Sequence, residues 1–324
     1  MKPSLRVLAL LCALIVPVAA QSAPIVIRYS HVTADVTPKG QAAIKFKELA
    51  EKKFPGRVQV QVFPNSQLFG DDKEMRALLL GDVQIIAPSL AKFGQYTKQL
   101  QVFDLPFLFN DMAAVERFEA SASGQALLGS MAGQGIHGFG YLHNGMKQLS
   151  ANVPLRWPQD AKGLRFRIQS SNVLDAQFKA VGAKPVRMPF ADTFQALQSA
   201  QVDGAENPWS NIYSQGFHTV QKVIMDSNHG ALEYMVIGNA RWWNALPDDI
   251  RKGLTEAMAE SIRFGNKVAT QEEANFRNKV IADKQAQVLS LSPEQQRAWR
   301  AVMQPVWKMF EDEIGPGLID AALH

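Results

Sequence analysis

The chain has 324 residues, 47% of them hydrophobic and 20% charged, which excludes a disordered or fibrous protein and is long enough for two domains. The formal charge is +4, but no run of five like charges occurs and aromatic residues do not interleave with basic clusters. A nucleic-acid partner is therefore not expected.

The chain opens as an export signal. Lys2 and Arg6 form a basic start, Leu8 to Ala20 is an apolar run, and the small residues of AAQSA follow, so cleavage is expected after Ala20 or Ala23. The run is too short for a bilayer span of ~20 residues. Leu11 stands before the only cysteine, Cys12, where a lipoprotein signal has a small residue. Processing removes that thiol, and with it disulfides, cysteine nucleophiles and thiolate metal ligands. It also removes Lys2 and Arg6, leaving 32 basic against 30 acidic residues.

Ile25, Ile27 and Tyr29 alternate into a first strand ending at Ser30-His31, and Thr37-Pro38 opens a helix with Ala42, Phe46 and Leu49 on its buried stripe. Val58, Val60 and Val62 mark a second strand after Pro55-Gly56. The helix EMRALLLGD and the buried-type run VQIIAPSL follow, a βαβα order that predicts a largely parallel sheet. FDLPFLFND reads as an apolar loop. GIHGFGYLHNG, KQLSANVPLRW and GALEYMVIGN read as strands crossing between lobes.

Gly163 to Tyr213 reads as strand, helix, strand, helix and a polar-aromatic loop. Leu164, Phe166 and Ile168 alternate with Arg165, Arg167 and Gln169, and Ser170, Ser171 and Asn172 offer N-caps for a helix stopped by Gly182. Ligands of open α/β sheets bind beyond the carboxyl ends of strands. Arg167, nearer that end than Arg165, stands where a helix N-terminus also begins. Spacing alone leaves it either an anion site or half of a structural ion pair.

The stretch Ala77-Leu78 to Gln84 matches Ala196-Leu197 to Asp203, 119 residues later, with Pro64 and Pro189 in corresponding places. Two such α/β units would face each other across a cleft. Leu246-Pro247-Asp248-Asp249 starts a long proline-free helical stretch of roughly 60 Å, with Gly265 as a place to bend. One last helix is expected over PEQQRAWRAVMQPVWKMFEDEI.

Gly133, Gly135 and Gly138 form a GxGxxG pattern, but they lead into a strand rather than a helix, which rules out a nucleotide loop. The histidines His31, His137, His143, His218, His229 and His324 show no HExxH spacing, so neither a metal nor another cofactor is expected. No GxSxG or paired-carboxylate spacing marks an enzyme.

The Gly163–Tyr213 stretch resembles the signature region of solute receptors of tripartite ATP-independent periplasmic (TRAP) transporters. SHVTADVTPKGQAAIKFKELAE, FPNSQLFGDDKEMRALLLGDVQIIAPS, FDLPFLFND, HNGMKQLSAN and HGALEYMVIGN resemble the same family in order, closest to its C4-dicarboxylate (DctP-type) branch. The resemblance implies an α/β, two-lobed periplasmic-binding-protein-like fold with a central ligand cleft and a long helix spanning both lobes. Lobe I would comprise 24–144 and about 233–272, and lobe II 145–232 and about 273–324.

It further implies a periplasmic, monomeric, non-enzymatic receptor that delivers a succinate-, malate- or fumarate-type acid to the small and large TRAP membrane subunits. Another organic acid (a monocarboxylate, 2-oxo acid or aromatic acid) or an enzyme acting on a carboxylic acid are the alternatives. On the family pattern Arg167 clamps the carboxylate, Asn207 of DGAENP supports it and Phe190 lines the pocket. Lys147, in NGMKQ, stands where sialic-acid receptors have an arginine, which argues against that ligand. For the distal carboxylate the candidates are Lys39, Ser89, His31, Lys147 and Trp209, the last two near the mouth.

Overall fold

The computed structural model describes residues 23–324. The leader and Cys12 lie outside the described residues, apart from Ala23. The first unit runs β1 (Ile25–Ser30), α1 (Pro38–Lys53), β2 (Val58–Phe63), α2 (Glu74–Leu80) and the short β3 (Ile85–Ile86). Thr37 caps α1 by accepting from Gly40 N–H, and Gly81 ends α2 at φ 86°, a left-handed turn that glycine adopts without steric cost. Two helices that the sequence reading missed follow, α3 (Met112–Ala120) and α4 (Ala122–Gly129). They precede β4 (Ile136–Met146), which confirms that the glycines before it lead into a strand.

The second unit starts with β5 (Gln148–Ala151) and repeats the pattern as β6 (Arg165–Ile168), α5 (Asn172–Ala180), β7 (Lys184–Arg187), α6 (Thr193–Gln198) and β8 (Gly204–Asn207). The expected polar-aromatic loop is in fact β8 followed by α7 (Trp209–Ser214). All four residues of β8 are buried, so neighbouring strands rather than side-chain hydrophobicity make this segment a strand. Next come β9 (Val223–Asp226), β10 (Ala231–Asn239), α8 (Ala240–Asn244), α9 (Asp248–Asp283) and β11 (Gln287–Ser290). The single closing helix of the sequence reading is three: α10 (Pro293–Met303), α11 (Val306–Ile314) and α12 (Pro316–Leu323). Pro305, which lacks an N–H and disfavours helix in the residue before it, separates the first two.

Two sheets result, in strand order β2-β1-β3-β10-β4 and β11-β9-β5-β8-β6-β7. In each, a parallel triplet (β2-β1-β3 and β8-β6-β7) forms the base. Strands arriving from the other sheet add antiparallel, so each sheet is mixed rather than largely parallel. The 119-residue correspondence is built into the backbone. Asp82 N–H bonds Ala77 C=O at 3.0 Å and Gln201 N–H bonds Ala196 C=O at 2.9 Å. Gln84 N–H reaches Arg28 C=O, as Asp203 N–H reaches Arg165 C=O.

β4 passes into β5 across the single residue Lys147, and β9 passes into β10 across Ser227–Gly230. The two crossings are joined by Lys147 N–H to Gly230 C=O at 2.7 Å. The long helix α9 has 36 residues, about 54 Å, and packs along α1 and β4 and then along α7. Gly265 lies within its continuous helical run. A Cβ there would sit 2.7 Å from Ala42 Cβ and 2.8 Å from Leu142 Cδ1, so this glycine lets helices approach. At the C-terminus Trp299 and Met303 join the core of Phe166 and Phe178, while Phe310 and Ile319 return to that of Phe103 and Phe118.

Candidate functional site

Between the sheets lies a small cavity of about 20 Å³. Its lining includes Thr33, Asp71, Glu74, Ser89, Lys92, Gln169, Phe190, Asn207, Asn211 and Tyr234, so both units contribute. The β6 register sets Arg167 between Val186 of β7 and Ala205 of β8, one residue from the strand end, and Ser171 caps α5 just beyond. Arg167 is 2% exposed. Its Nε donates to Met188 C=O at 3.1 Å, its guanidinium carbon lies 5.7 Å from the Phe190 ring centre, and Nη2 stands 4.0 Å from Asp71 Oδ2. Arg167 Nη2 and Asn207 Nδ2 are buried donors without a hydrogen-bond partner among the described residues. Leaving such groups unpaired costs ~1–3 kcal/mol each, more for a charge.

Asp71 joins the two units. Its Oδ1 accepts from Phe190 N–H at 3.2 Å and its Oδ2 from Lys92 Nζ at 2.8 Å. Asp71 and Phe190 are themselves 119 positions apart, so equivalent loops of the two repeats meet here. The repeat offset applied to Phe190 points to Asp71, a residue the sequence reading overlooked.

Of the remaining sequence candidates, Ser89 lines the cavity and caps the short turn after it through Ala91 N–H. Lys39 is fully buried, donates to Ala87 C=O at 3.1 Å and lies 3.5 Å above the ring of Tyr234. Burial lowers its ammonium to about 8, with Glu74 and Asp71 resisting. Burial raises the Glu74 carboxyl to about 8 in turn, against the pull of Lys39, so it carries its proton at neutral pH. His31 is also buried; burial and the charge of Lys39 take its imidazole down to about 3, so it is neutral.

Lys147 and Trp209 are not at a mouth. Lys147 Nζ is held by Glu206 Oε1 at 2.9 Å, and Glu206 Oε2 accepts from Gln177 and lies 2.7 Å from His229 Nε2. Burial opposes the Glu206 charge, yet Lys147 and His229 hold its carboxyl down at about 2. Trp209 is buried in the core of Phe217 and Phe276, with the Arg277 guanidinium over its ring. Its hydrophobic bulk settled its place. The structure thus puts Asn207, Phe190 and Ser89 on the cavity, with Arg167 behind them near Phe190 and Asp71 and Lys39 against Tyr234 of its lining, and puts Lys147 and Trp209 in supporting layers.

Sequence reasoning also missed Glu74, Lys92, Asn211 and Tyr234. Tyr234 lies on a strand read only as a crossing, where its hydroxyl accepts from Asn144 Nδ2 at 3.1 Å and Asn211 Nδ2 at 3.4 Å.

Residues 29–313 match the family model of bacterial extracellular solute-binding protein, family 7 (DctP). The C4-dicarboxylate-binding periplasmic protein DctP of Shewanella loihica is 53% identical over 302 residues, spanning 93% of this chain and 90% of that one. Among solved structures, a TRAP periplasmic solute-binding protein of Shewanella oneidensis with bound succinate superposes with a TM-score of 0.92 at 56% identity, covering 93% of this chain and 99% of that one. A second, from Pseudomonas aeruginosa with bound L-malate, gives 0.86 at 48% identity, over 88% of this chain and all of the other.

Proposed function

Because the chain belongs to family 7 of the bacterial extracellular solute-binding proteins, the DctP receptors of TRAP transporters, we propose that it is a periplasmic receptor for a C4-dicarboxylate of the succinate, malate or fumarate type. It hands this ligand to the TRAP membrane subunits and has no catalytic role.

The charge balance of the cavity carries the reading. Arg167, Lys39 and Lys92 are cationic, Asp71 is the facing anion, and Glu74 and His31 are neutral near pH 7. Basic groups outnumber the facing carboxylate, the complement of a dicarboxylate. Arg167 and Asn207 are the proposed donors to one carboxylate, with Phe190 closing over it. Lys39, Lys92, Ser89 and Tyr234 are proposed for the other, and Lys147 supports from behind through Glu206. Micromolar affinity, about −8.2 kcal/mol over the ~9 heavy atoms of such an acid, requires charge-assisted bonds at both ends in a dry site.

The proposed lobes take the boundaries 24–144 with about 233–272, and 145–232 with about 273–305, while α11 and α12 return to lobe I through Phe310 and Ile319. They hinge at Lys147 and at Ser227–Gly230.

Calorimetry with succinate, malate, fumarate, acetate and pyruvate tests the ligand class. Saturable one-to-one binding of the diacids and at least ~100-fold weaker binding of the monoacids is expected. Preference for a monoacid, or product appearing in the proton NMR spectrum of a bound diacid, would overturn it.

A further inference from the structure

Away from the cavity, a second cluster of ionisable groups joins three elements. The antiparallel register of β4 and β10 sets His143 directly opposite Glu233, and α3 brings Glu119 over the pair. His143 Nε2 is 2.7 Å from Glu119 Oε2 and 3.9 Å from Glu233 Oε2, while its Nδ1 is 3.5 Å from Glu116 Oε1. One donor atom from each of Glu119, His143 and Glu233 lies within 4.8 Å of the others.

All three side chains are more than nine-tenths buried: Glu233 is 2% exposed, His143 4% and Glu119 6%. Both Glu233 carboxylate oxygens, Glu119 Oε1 and His143 Nδ1 have no hydrogen-bond partner among the described residues. Clustered carboxylates alone mean little. Unpartnered, buried carboxylates converging with an imidazole are ligand atoms in search of a positive centre.

We propose that Glu119, His143 and Glu233 form a binding site for a divalent first-row transition ion of the zinc type, with half-exposed Glu116 at its rim. Imidazole with carboxylate oxygens suits such ions, and three protein ligands leave coordination positions for water. An open surface cavity lined by Glu116, Glu119, His143 and Asn266 gives the ion a way in, although Arg263 also lines it. A proton shared between Glu119 and Glu233 is the competing occupant.

The site lies on the opposite face of the two crossing strands from the ligand cavity. His143 and Glu233 face the cluster, while the next residues, Asn144 and Tyr234, join by a hydrogen bond beside the cavity. A bound ion would fasten both strands to α3.

Chelator-stripped full-chain protein, titrated with zinc chloride in competition with a chromophoric chelator, tests the site. One equivalent is expected, weakened by more than about tenfold in both Glu233→Gln and His143→Ala. Zinc should also raise the melting temperature of the parent and not of Glu233→Gln. Glu233→Gln keeps the shape of the side chain, and succinate binding serves as its folding control, so loss of zinc with succinate retained isolates the site. Cobalt(II) as a second probe should give visible absorption bands that vanish in both variants. No stoichiometric uptake at ~100 µM zinc, or uptake undiminished in Glu233→Gln, would overturn the proposal and leave the shared proton as the occupant.

Discussion

Arg167 is fixed from below by its Nε bond to Met188 C=O, while Nη2 is free to meet a ligand. Replacing it with alanine would bury a carboxylate without its partner. Arg167→Ala should weaken succinate binding by at least ~100-fold, and Arg167→Lys by about tenfold or more because an ammonium lacks the two-pronged fork. Calorimetry reads both, and parental affinity in Arg167→Ala would remove the clamp assignment. Glu74 makes a subtler contribution. Its raised carboxyl and the lowered ammonium of Lys39 both lose protons as pH climbs through about 8, the first adding a negative charge and the second removing a positive one. Dicarboxylate affinity should therefore fall above that pH, by up to about tenfold per pH unit for each proton lost. Glu74→Gln, neutral at every pH, should bind like the parent at pH 7 and show a shallower decline. An identical pH profile in the two proteins would exclude Glu74 from the effect.

At the level of single elements, most of what was local in the chain was readable. Alternation in β1 and β6, the Thr37 and Ser171 caps and the Gly81 stop each depend on neighbours within a few residues. The polar strand β8 was not, because Glu206 and Asn207 are held there by pairing with β5 rather than by their own preference. Arg167 and Asn207 were singled out through motif position, and both prove to be buried with an unpaired donor. Glu119, His143 and Glu233 were not, since only the β4–β10 register and the packing of α3 bring them together. Gly265 was read as a bend and proved to be a contact. Gly265→Val should force α1 and α9 apart and destabilise the protein by about 1–3 kcal/mol, measured by denaturant unfolding. A stability equal to the parent would show that the approach at Ala42 and Leu142 is not tight.

For the whole molecule, Asp71 is the point where the two repeats touch, reaching Phe190 N–H from the opposite unit while paired with Lys92. Two short crossings, α9 and the C-terminal helices also join the units, the last through Arg300 Nη1 to Phe107 C=O and Trp307 Nε1 to Pro106 C=O, so any relative motion is a pivot about these joins. Small-angle scattering should show a smaller radius of gyration with succinate than without it. An unchanged radius would argue for a cleft of fixed width.

The continuity of α9 limits what kind of motion this is. A helix is stiff along its axis and compliant sideways, and this one is seated on α1 and β4 at one end and on α7 towards the other. It acts as a leaf spring clamped at both ends. Lengthwise sliding of one lobe past the other would tear a clamp loose, so the lobes are left with a pivot across the helix.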